Sequence, residues 1–370
     1  IDRECANRLF CKTLIGSAHM MMETGKTHQE LIDMVTSPGG TTFAMLDARK
    51  ECDFAHAVDD HLMHTTHVTR GDEWLSSVPI HLQLFYVLGF KAPKYAHISP
   101  IMKEDAETGG KRKLSKRKDP EAAVSFYAEA GYPAGAVNEY LMTIANSNYE
   151  DWRRANKDES IDKFAFMLSK MGKAGALFDM VKLHDISKTY ISTMNTEGVF
   201  DAVTAWSAEY DSELNSLIMR DTDYAKSIFS IERGNKKPRK DIAKWSEVPD
   251  FVAYLYDDLY KEDFDQLPEN VTPADAAAIL EAYTNVYDKN DDQSEWFGKV
   301  KSLCEPLGYT PNVKEWKQDP TAFKGHVGHL STVIRVAITS RTNTPDLCAI
   351  MQILGKEKVA ERIGSMLTQI

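Results

Sequence analysis

The chain has 370 residues, of which 43% are hydrophobic and 27% charged, a composition that predicts an ordinary globular protein with two or three domains. Its formal net charge of −11 argues against a protein that coats nucleic acid indiscriminately, but it is compatible with a local basic groove. There is no apolar run of about 18 residues, so no membrane-spanning helix is predicted. The five scattered cysteines form no Cys-x-x-Cys pair, which predicts no zinc or other metal site and favours a reducing, cytoplasmic location.

The first fifty residues predict helices around a sharp turn. Apolar side chains recur at helical spacing over residues 1–35, a Pro-Gly-Gly breaker stands within 36–42, and a short helix is predicted over 43–48. The sequence does not begin with methionine, which suggests a trimmed or incomplete chain.

The pattern changes between residues 51 and 119. Strands are predicted over 54–58 and 65–69, an apolar helix over 79–88, and a charged loop over 105–119. Short strands followed by a helix are typical of an open α/β sheet. This part of the chain therefore predicts an α/β fragment.

After residue 119 the prediction is mostly helical. Asp119 precedes Pro120, a pair that suits the N-cap and first position of a helix. Many short helices in an acidic, Lys-rich region indicate a helical bundle or cage. Further helices are predicted near residues 134–145, 160–170, 211–218, 247–260, 273–287, 292–305, 330–340 and 356–368.

A basic pentapeptide, Lys113-Leu114-Ser115-Lys116-Arg117, carries the strongest chemical signal. Transfer of an adenylate needs cations at the phosphates as charge develops on pyrophosphate, and a loop can supply them. Lys113 and Lys116 suit that task, and Ser115 can donate a hydrogen bond to a phosphate oxygen. Taken alone, such a pentapeptide is more often a solvated loop.

About forty residues earlier lies a second segment, which reads Val-Asp-Asp-His-Leu-Met from residue 58 and Arg-Gly-Asp-Glu-Trp from residue 70. The guanidinium of Arg70 can pair bidentately with an acidic substrate. The carboxylate of Glu73 can accept hydrogen bonds from hydroxyl groups. The alternative is a surface Arg–Glu pair of little energetic value.

These two segments, in this order and at this spacing, are similar to those of glutamyl-tRNA synthetases, whose form of the class I "KMSKS" loop is the pentapeptide. The resemblance covers about residues 51–370 and implies the second half of a class I Rossmann-type catalytic domain followed by a helical anticodon-binding region. It implies ATP and Mg²⁺ as substrates that, with L-glutamate and tRNA, give glutamyl-tRNA. It also implies catalytic roles for Lys113, Ser115 and Lys116, a glutamate pocket of Arg70, Trp74 and His56, and ATP contacts from Glu73, Leu114, Lys116 and Arg117.

The resemblance continues through the helical half. Residues 166–183 are similar to the family's hinge, 236–245 to a basic helix start, and 336–347 to the closing part of the helix cage. We therefore expect a catalytic part over 51–118, a connecting helical region over 119–190 and an anticodon-binding region over 191–370. The tRNA-binding residues implied by the resemblance are Lys236, Lys237, Arg239, Lys240, Arg335 and Arg341.

Two features depart from the family pattern. A class I synthetase needs a His-x-Gly-His sequence upstream of its KMSKS loop, whereas the His-x-Gly-His of this chain is at 326–329, where we expect a packing role. Cys52 stands where the family usually has a tyrosine that faces the amino acid. We therefore predict a truncated or fused chain that lacks this half of the active site.

The residues upstream of 51 resemble a different family. Residues 6–48, with the Ser-Pro-Gly-Gly-Thr-Thr turn that begins at Ser37, are similar to the C-terminal dimerisation segment of pyrroline-5-carboxylate reductase. Two alternatives to a ligase thus stay open: a tRNA-binding module without catalysis, and a fusion that dimerises through residues 1–48. The sequence leaves open whether the tRNA accepts glutamate only or also glutamine.

Overall fold

The computed structural model describes residues 23–25, 54–105 and 108–370. Apart from residues 23–25, the helices and turn predicted between 1 and 48 lie outside these ranges. Among the described residues, no helix combines the length and apolar character needed to cross a bilayer.

The chain divides into two compact units. The first unit comprises residues 1–114 and 142–178, and the second unit comprises residues 115–141 and 179–370. The division falls within the predicted basic loop. Lys113 therefore belongs to the first unit and Lys116 to the second.

Helix α1 (Phe54–Leu62) begins the larger described part of the first unit. The strand predicted over 54–58 is therefore wrong. Two alanines, Ala55 and Ala57, favour a helix more strongly than the neighbouring Phe and Val favour a strand. Ala57 is fully buried, so packing of the helix reinforces this local preference.

The sheet of the first unit has two parallel strands. Strand β1 (His67–Gly71) pairs with strand β2 (Lys94–Ile98), and Arg70 lies opposite His97. A 3-10 helix and then helix α2 (Val78–Leu88) connect the two strands, as a parallel pairing requires. The predicted parallel sheet fragment and the helix over 79–88 are confirmed.

A β-hairpin replaces part of the predicted charged loop over 105–119. Strand β3 (Met102–Glu104) pairs antiparallel with strand β4 (Lys111–Lys113). The turn between them contains Gly109 at φ 66°, a left-handed conformation that glycine adopts without strain. Lys113, the first residue of the basic pentapeptide, is therefore the last residue of a strand.

Helices account for most of the remaining chain, and residues 160–370, all of which are described, contain no β-strand. The helical prediction for this region is confirmed. Helices α3 to α15 are Val124–Ala130, Ala134–Ala145, Tyr149–Ala155, Met180–Thr193, Thr196–Tyr210, Ser212–Arg220, Thr222–Ser230, Val248–Val252, Pro273–Val286, Gln293–Ser302, Val313–Gln318, Val327–Thr339 and Leu347–Gln369.

Most helices of the second unit begin at a short polar residue. The side chain of each such residue accepts a hydrogen bond from a backbone N–H of the first turn, which would otherwise have no partner. The capping residues are Asp179, Asn195, Asp211, Asp221, Thr272, Asp292, Asn312 and Asp346.

The helix predicted over 160–170 is wrong. The structure has two 3-10 turns there, Ile161–Lys163 and Leu168–Lys170. Between them Phe164 is extended and packs edge-on against Tyr149, with the ring centroids 4.9 Å apart. This tertiary contact outweighs the local helical periodicity.

The helix predicted over 247–260 ends early. Helix α10 stops at Val252, and a 3-10 turn follows at Ala253–Leu255. Tyr254, Leu255 and Tyr256 are all buried, and three consecutive residues cannot bury themselves on one face of a helix.

Two further expectations about helix starts are wrong. The basic stretch 236–244 precedes a 3-10 turn at Trp245–Glu247 and does not itself begin a helix. Pro238 within it lacks a backbone N–H and disfavours a helical residue before it. Asp119 does not cap the turn that begins at Pro120, because its carboxylate accepts a hydrogen bond from the backbone of Ser115.

The core of the second unit lies around helix α14. Leu330, Val333, Ile334 and Ala337 have the i, i+3, i+4, i+7 spacing of one helical face, and all four are fully buried. Helices α11 and α15 pack against α14. These apolar contacts provide the scaffold on which the basic residues of the second unit are placed.

Candidate functional site

Arg70 is the centre of a polar site in the first unit. Its Nε donates a hydrogen bond to His97 Nε2 at 3.1 Å, and its Nη1 lies 2.8 Å from His81 Nδ1. Its Nη2 donates to the backbone carbonyl of Trp74 at 3.3 Å. Strand β1 supplies the arginine, strand β2 supplies His97 and helix α2 supplies His81, so three elements fix one guanidinium.

Aromatic rings flank the same guanidinium. The Arg70 Cζ lies 4.8 Å from the centroid of the Tyr95 ring and 5.7 Å from that of Trp74, distances at which a cation is attracted to a ring face. Trp74 is 39% exposed and marks the solvent side. Among the described residues, Arg70 has no carboxylate partner within 4 Å. Its charge is therefore suited to an acidic group brought by a ligand.

His81 is a neutral imidazole within this site. It is 3% exposed, and burial lowers its pKa to about 4, with smaller contributions from the nearby His56 and Arg70 charges. The His56 ring lies 4.5 Å from the His81 ring. The structure thus places the predicted residue His56 beside His81, which itself contacts Arg70. His81, His97 and Tyr95 were not predicted from any sequence pattern.

Lys113 and Glu73 form an exposed pair in the first unit. Lys113 Nζ lies 2.9 Å from Glu73 Oε1, and this hydrogen bond lowers the pKa of the Glu73 carboxyl. Glu73 stands one residue before Trp74, so the lysine, the carboxylate and the Arg70 site belong to one region. An exposed pair of this kind is weak, and a phosphate or a hydroxyl of a ligand can replace either partner.

The rest of the basic segment forms a turn in the second unit. The Ser115 backbone N–H donates to Asp119 Oδ2 at 2.9 Å, and the Asp119 N–H donates to the Ser115 carbonyl at 2.8 Å. Asp119 is buried, whereas Lys116 and Arg117 are exposed. A buried carboxylate thus anchors the turn that presents the two cations to solvent. Asp119 was predicted as a helix cap and not as this anchor.

The His-x-Gly-His at 326–329 is a helix start. His326 Nδ1 accepts a hydrogen bond from the Gly328 N–H at 2.9 Å, and His329 Nδ1 accepts one from the His326 N–H at 3.1 Å. The two imidazoles stack with centroids 4.2 Å apart, and Trp316 packs edge-on against both. Both acceptor nitrogens satisfy the backbone of helix α14, as the predicted packing role requires.

The predicted tRNA-binding cations differ in how they are paired. Lys236, Lys237 and Lys240 are exposed, and Lys240 Nζ lies 4.0 Å from Asp185 Oδ1, a long and exposed contact. Arg239 contacts both carboxylate oxygens of Asp241, at 2.8 and 3.1 Å, and this contact raises its pKa. The lysines are therefore the more available phosphate partners.

Arg335 and Arg341 are engaged within the second unit. Arg335 Nη1 donates to the carbonyls of Thr344 and Pro345, at 3.2 and 3.0 Å, and burial lowers its pKa. Arg341 Nη2 donates to Asp250 Oδ1 at 2.7 Å and to the backbone carbonyl of the same residue at 2.8 Å. Arg335 is thus held by the backbone and Arg341 by an exposed carboxylate.

A cleft of about 270 Å³ in the second unit is lined by Arg239 and Arg341. Its walls combine cations, carboxylates, other hydrogen-bonding groups and the rings of Phe251 and Tyr254, and the Arg341 guanidinium lies 5.5 Å from the centroid of the Tyr254 ring. Of the residues that line the cleft, only Arg239 and Arg341 were predicted from the sequence. The polar lining residues are Lys188, Arg239, Asp241, Glu247, Asp250, Tyr254, Arg341, Asn343 and Thr344.

Three family models match the chain. Residues 47–185 match the catalytic domain of class I tRNA synthetases (E and Q), and residues 321–367 match an anticodon-binding domain. Residues 1–71 match pyrroline-5-carboxylate reductase dimerisation, which overlaps the synthetase match over 47–71. Within the overlap, the contacts of Arg70 with residues of β2 and α2 connect it to the rest of the synthetase match.

The chain is also similar to curated proteins that are glutamate–tRNA ligases. A glutamate–tRNA ligase from Clostridium perfringens (strain 13 / Type A) is 49% identical over 313 residues, which are 84% of this chain and 57% of that protein. One from Sorangium cellulosum is 44% identical over 327 residues, 85% of this chain and 57% of that protein. The chain thus spans less than two thirds of the length of the relatives it matches.

A solved structure supports the fold. The crystal structure of a glutamate tRNA ligase from Elizabethkingia meningosepticum, in complex with its amino acid, superposes with a TM-score of 0.59 at 22% identity. The match covers 85% of this chain and 59% of that one. From about residue 51 to residue 370, this chain is similar to a C-terminal portion of glutamate–tRNA ligases, and it has the class I synthetase and anticodon-binding folds.

Proposed function

We propose that the chain provides the glutamate-binding and tRNA-binding parts of a glutamate–tRNA ligase. The observation that carries this proposal is Arg70. It is a guanidinium fixed from three sides, flanked by two rings and without a carboxylate partner among the described residues. A bidentate pair with a substrate carboxylate would complete its coordination. Trp74, at the exposed side, would close the pocket over the ligand, and His56 would line it behind His81.

The basic segment has the chemistry for the nucleotide. Magnesium–ATP would enter as a substrate, and formation of the adenylate would develop negative charge on the pyrophosphate that leaves. Lys113 and Lys116 would stabilise that charge, and Ser115 would donate a hydrogen bond to a phosphate oxygen. Leu114 and Arg117 would contact the ATP, and Glu73 would accept from a ribose hydroxyl once Lys113 turned to phosphate.

The second unit would bind the tRNA. Exposed lysines at 236, 237 and 240 suit the phosphate backbone, which attracts cations without regard to sequence. The cleft beside Arg341 and Arg239 suits a nucleobase, because it offers planar donors, carboxylate acceptors and a tyrosine ring. We assign Arg335 to the support of this cleft, through its bonds to the 344–345 backbone. The acceptor tRNA would be one for glutamate, in the cytoplasm.

A second candidate function is tRNA binding without catalysis. It is favoured by one observation: the only His-x-Gly-His in the 370-residue sequence caps helix α14 in the second unit. Residues 1–71 match a dimerisation family, so a dimer formed through this segment would be compatible with either function.

Glutamate-dependent exchange of pyrophosphate into ATP separates the two functions. A polypeptide of this sequence should bind tRNA and show no exchange above background, because its one His-x-Gly-His sequence caps helix α14. Exchange that depends on glutamate and is lost in Lys113→Ala would establish a complete ligase site. Failure to bind tRNA at low salt would contradict both functions.

A further inference from the structure

The contacts of Arg70 contain information about proton positions. An arginine has no acceptor, so every nitrogen that receives its hydrogen bond must present a lone pair. His97 Nε2 receives the Nε–H at 3.1 Å, and His81 Nδ1 faces Nη1 at 2.8 Å. A neutral imidazole carries one N–H and one lone pair on different nitrogens. The contacts therefore require the Nδ1–H tautomer at His97 and the Nε2–H tautomer at His81.

Burial makes the His81 tautomer costly in one respect. His81 is only 3% exposed, yet no group among the described residues pairs with its Nε2. A buried donor without a partner destabilises the fold. Turning the ring to satisfy Nε2 would remove the acceptor from Arg70. The observed orientation therefore satisfies Arg70 Nη1 and leaves His81 Nε2 without a partner among the described residues.

The surroundings keep His81 able to accept. Burial lowers its pKa to about 4, and the charges of His56 on α1 and Arg70 on β1 act in the same direction. Asp60 on α1 opposes them weakly. The β2 side presents Tyr95, whose pKa burial raises, and His97. A neutral His81 at physiological pH follows from this environment.

The guanidinium of Arg70 has N–H groups left over for a ligand. A guanidinium has five N–H groups, and three are used by His97, His81 and the Trp74 carbonyl. Two remain, which is the number that a bidentate carboxylate takes. The rings of Tyr95 and Trp74 restrict the tilt of the guanidinium plane.

We propose that His81 and His97 are positioning residues of the glutamate site, which hold Arg70 as two neutral imidazoles of opposite tautomer so that its two remaining N–H groups meet the substrate carboxylate. This proposal rests on the proposed function. It goes beyond it by assigning a task to two residues that need not touch the substrate.

The geometry allows matched variants. The side-chain oxygen of asparagine can stand near the place of a histidine Nδ1, and that of glutamine near the place of Nε2. His81→Asn and His97→Gln therefore keep an acceptor towards Arg70, whereas His81→Phe and His97→Phe keep ring size and remove the acceptor. Each histidine thus has a conservative and a disruptive replacement.

Two readouts on the full 370-residue chain test the proposal. Nitrogen-15 spectra of labelled imidazoles should show an Nε2–H tautomer at His81 and an Nδ1–H tautomer at His97, and the Arg70 Nε–H signal should exchange slowly. By titration calorimetry with L-glutamate, each Phe variant should bind about tenfold more weakly, as expected for loss of an oriented charge-assisted bond. His81→Asn and His97→Gln should restore most of the affinity.

Opposite outcomes are distinguishable. Phe variants that bind L-glutamate as the unchanged chain does, with an unaltered Arg70 Nε–H signal, would overturn the proposal. So would the reverse tautomers. If the unchanged chain bound no L-glutamate while both tautomers were as expected, the proposed glutamate site would fail and the histidine–arginine contacts would stand.

Discussion

Arg70 of the first unit differs from Arg239 and Arg341 of the second unit in what neutralises or supports its guanidinium. In the second unit, Arg239 and Arg341 each contact a carboxylate, that of Asp241 or Asp250. In the first unit, Arg70 is held by neutral imidazoles, a backbone carbonyl and aromatic faces. Neutral acceptors orient a cation without cancelling its charge. The comparison teaches that orientation and charge compensation are separate, and that a site for an anionic ligand needs the first without the second.

The units also differ in how much apolar surface they bury. Helix α14 of the second unit is lined by fully buried residues, whereas in the first unit Leu75, Ile80 and Tyr86 are exposed. A deep core makes the second unit a stable support for its basic surface. Among the described residues, fewer groups of the first unit are buried, so polar contacts have a larger part in positioning its elements.

Truncation of a buried side chain in the core of the second unit should have a larger effect than the changes described below. Ile334→Ala removes a fully buried side chain from α14 and should lower the free energy of unfolding of the second unit by about 2–5 kcal/mol. Urea denaturation followed by circular dichroism measures this change. Leu75→Ala, at an exposed site of the first unit, is the control and should change stability by less than about 0.5 kcal/mol. Similar losses from both variants would remove the contrast between the units.

The next effect concerns the exposed lysines. Replacing Lys236, Lys237 and Lys240 with alanine should weaken tRNA binding and flatten the slope of log affinity against log salt by about two, since each phosphate contact contributes roughly 0.7–0.9. Filter binding at several salt concentrations measures this slope. Replacing Lys314 and Lys317, exposed elsewhere in the second unit, provides the control. An unchanged slope in the triple variant would assign the tRNA surface elsewhere.

A subtler effect is expected at Arg341. If its guanidinium leaves Asp250 to read a base, Arg341→Ala should reduce the preference for the cognate tRNA by about 1–3 kcal/mol and change the salt slope by no more than about one. Competition between cognate and non-cognate tRNAs measures this preference. Equal weakening of all tRNAs would reassign Arg341 to a backbone contact. Asp250→Asn, which weakens its present ion pair, should have the opposite effect and release the arginine.

The smallest effect is a pH dependence at the start of α14. Burial lowers the pKa of both His326 and His329, so the unfolded chain binds protons first as the pH falls. Their contribution to stability is complete above the ordinary histidine pKa of about 6.5 and is lost as the pH falls towards the folded values. We therefore expect the free energy of unfolding to decrease between pH 7.5 and 5.5. Asparagine caps helices and does not titrate, so His326→Asn should make that decrease smaller. An unchanged pH profile in this variant would contradict the role of His326.

Sequence patterns predicted the parts of the fold that depend on local rules. The apolar helix before Gly89, the strand predicted over 65–69 and the helical second half follow from periodicity and turn residues. The failures at 54–58 and 160–170 arose where tertiary contacts decided, as with the buried Ala57 and the extended Phe164. A window of sequence contains no signal for a partner that lies far away along the chain.

Some residues of the candidate site were predicted from local sequence, and others are brought there only by the fold. Arg70, Trp74 and the basic segment lie in contiguous motifs, and the family resemblance identified them. His81 and His97 come to Arg70 from a helix and from the paired strand, 11 and 27 residues away. Only the register of β1 with β2 brings His97 opposite Arg70. No strand was predicted over residues 94–98, so the local pattern contained no signal for this pairing.

The most direct test of this account is the binding of two nearly isosteric amino acids to the full chain. Titration calorimetry should show that L-glutamate binds and that L-glutamine binds at least about tenfold more weakly, because only a carboxylate forms the bidentate charged pair with Arg70. Arg70→Gln should abolish the difference between the two ligands. Equal binding of L-glutamate and L-glutamine, or a preference that survives Arg70→Gln, would contradict the assignment of this arginine to the substrate carboxylate.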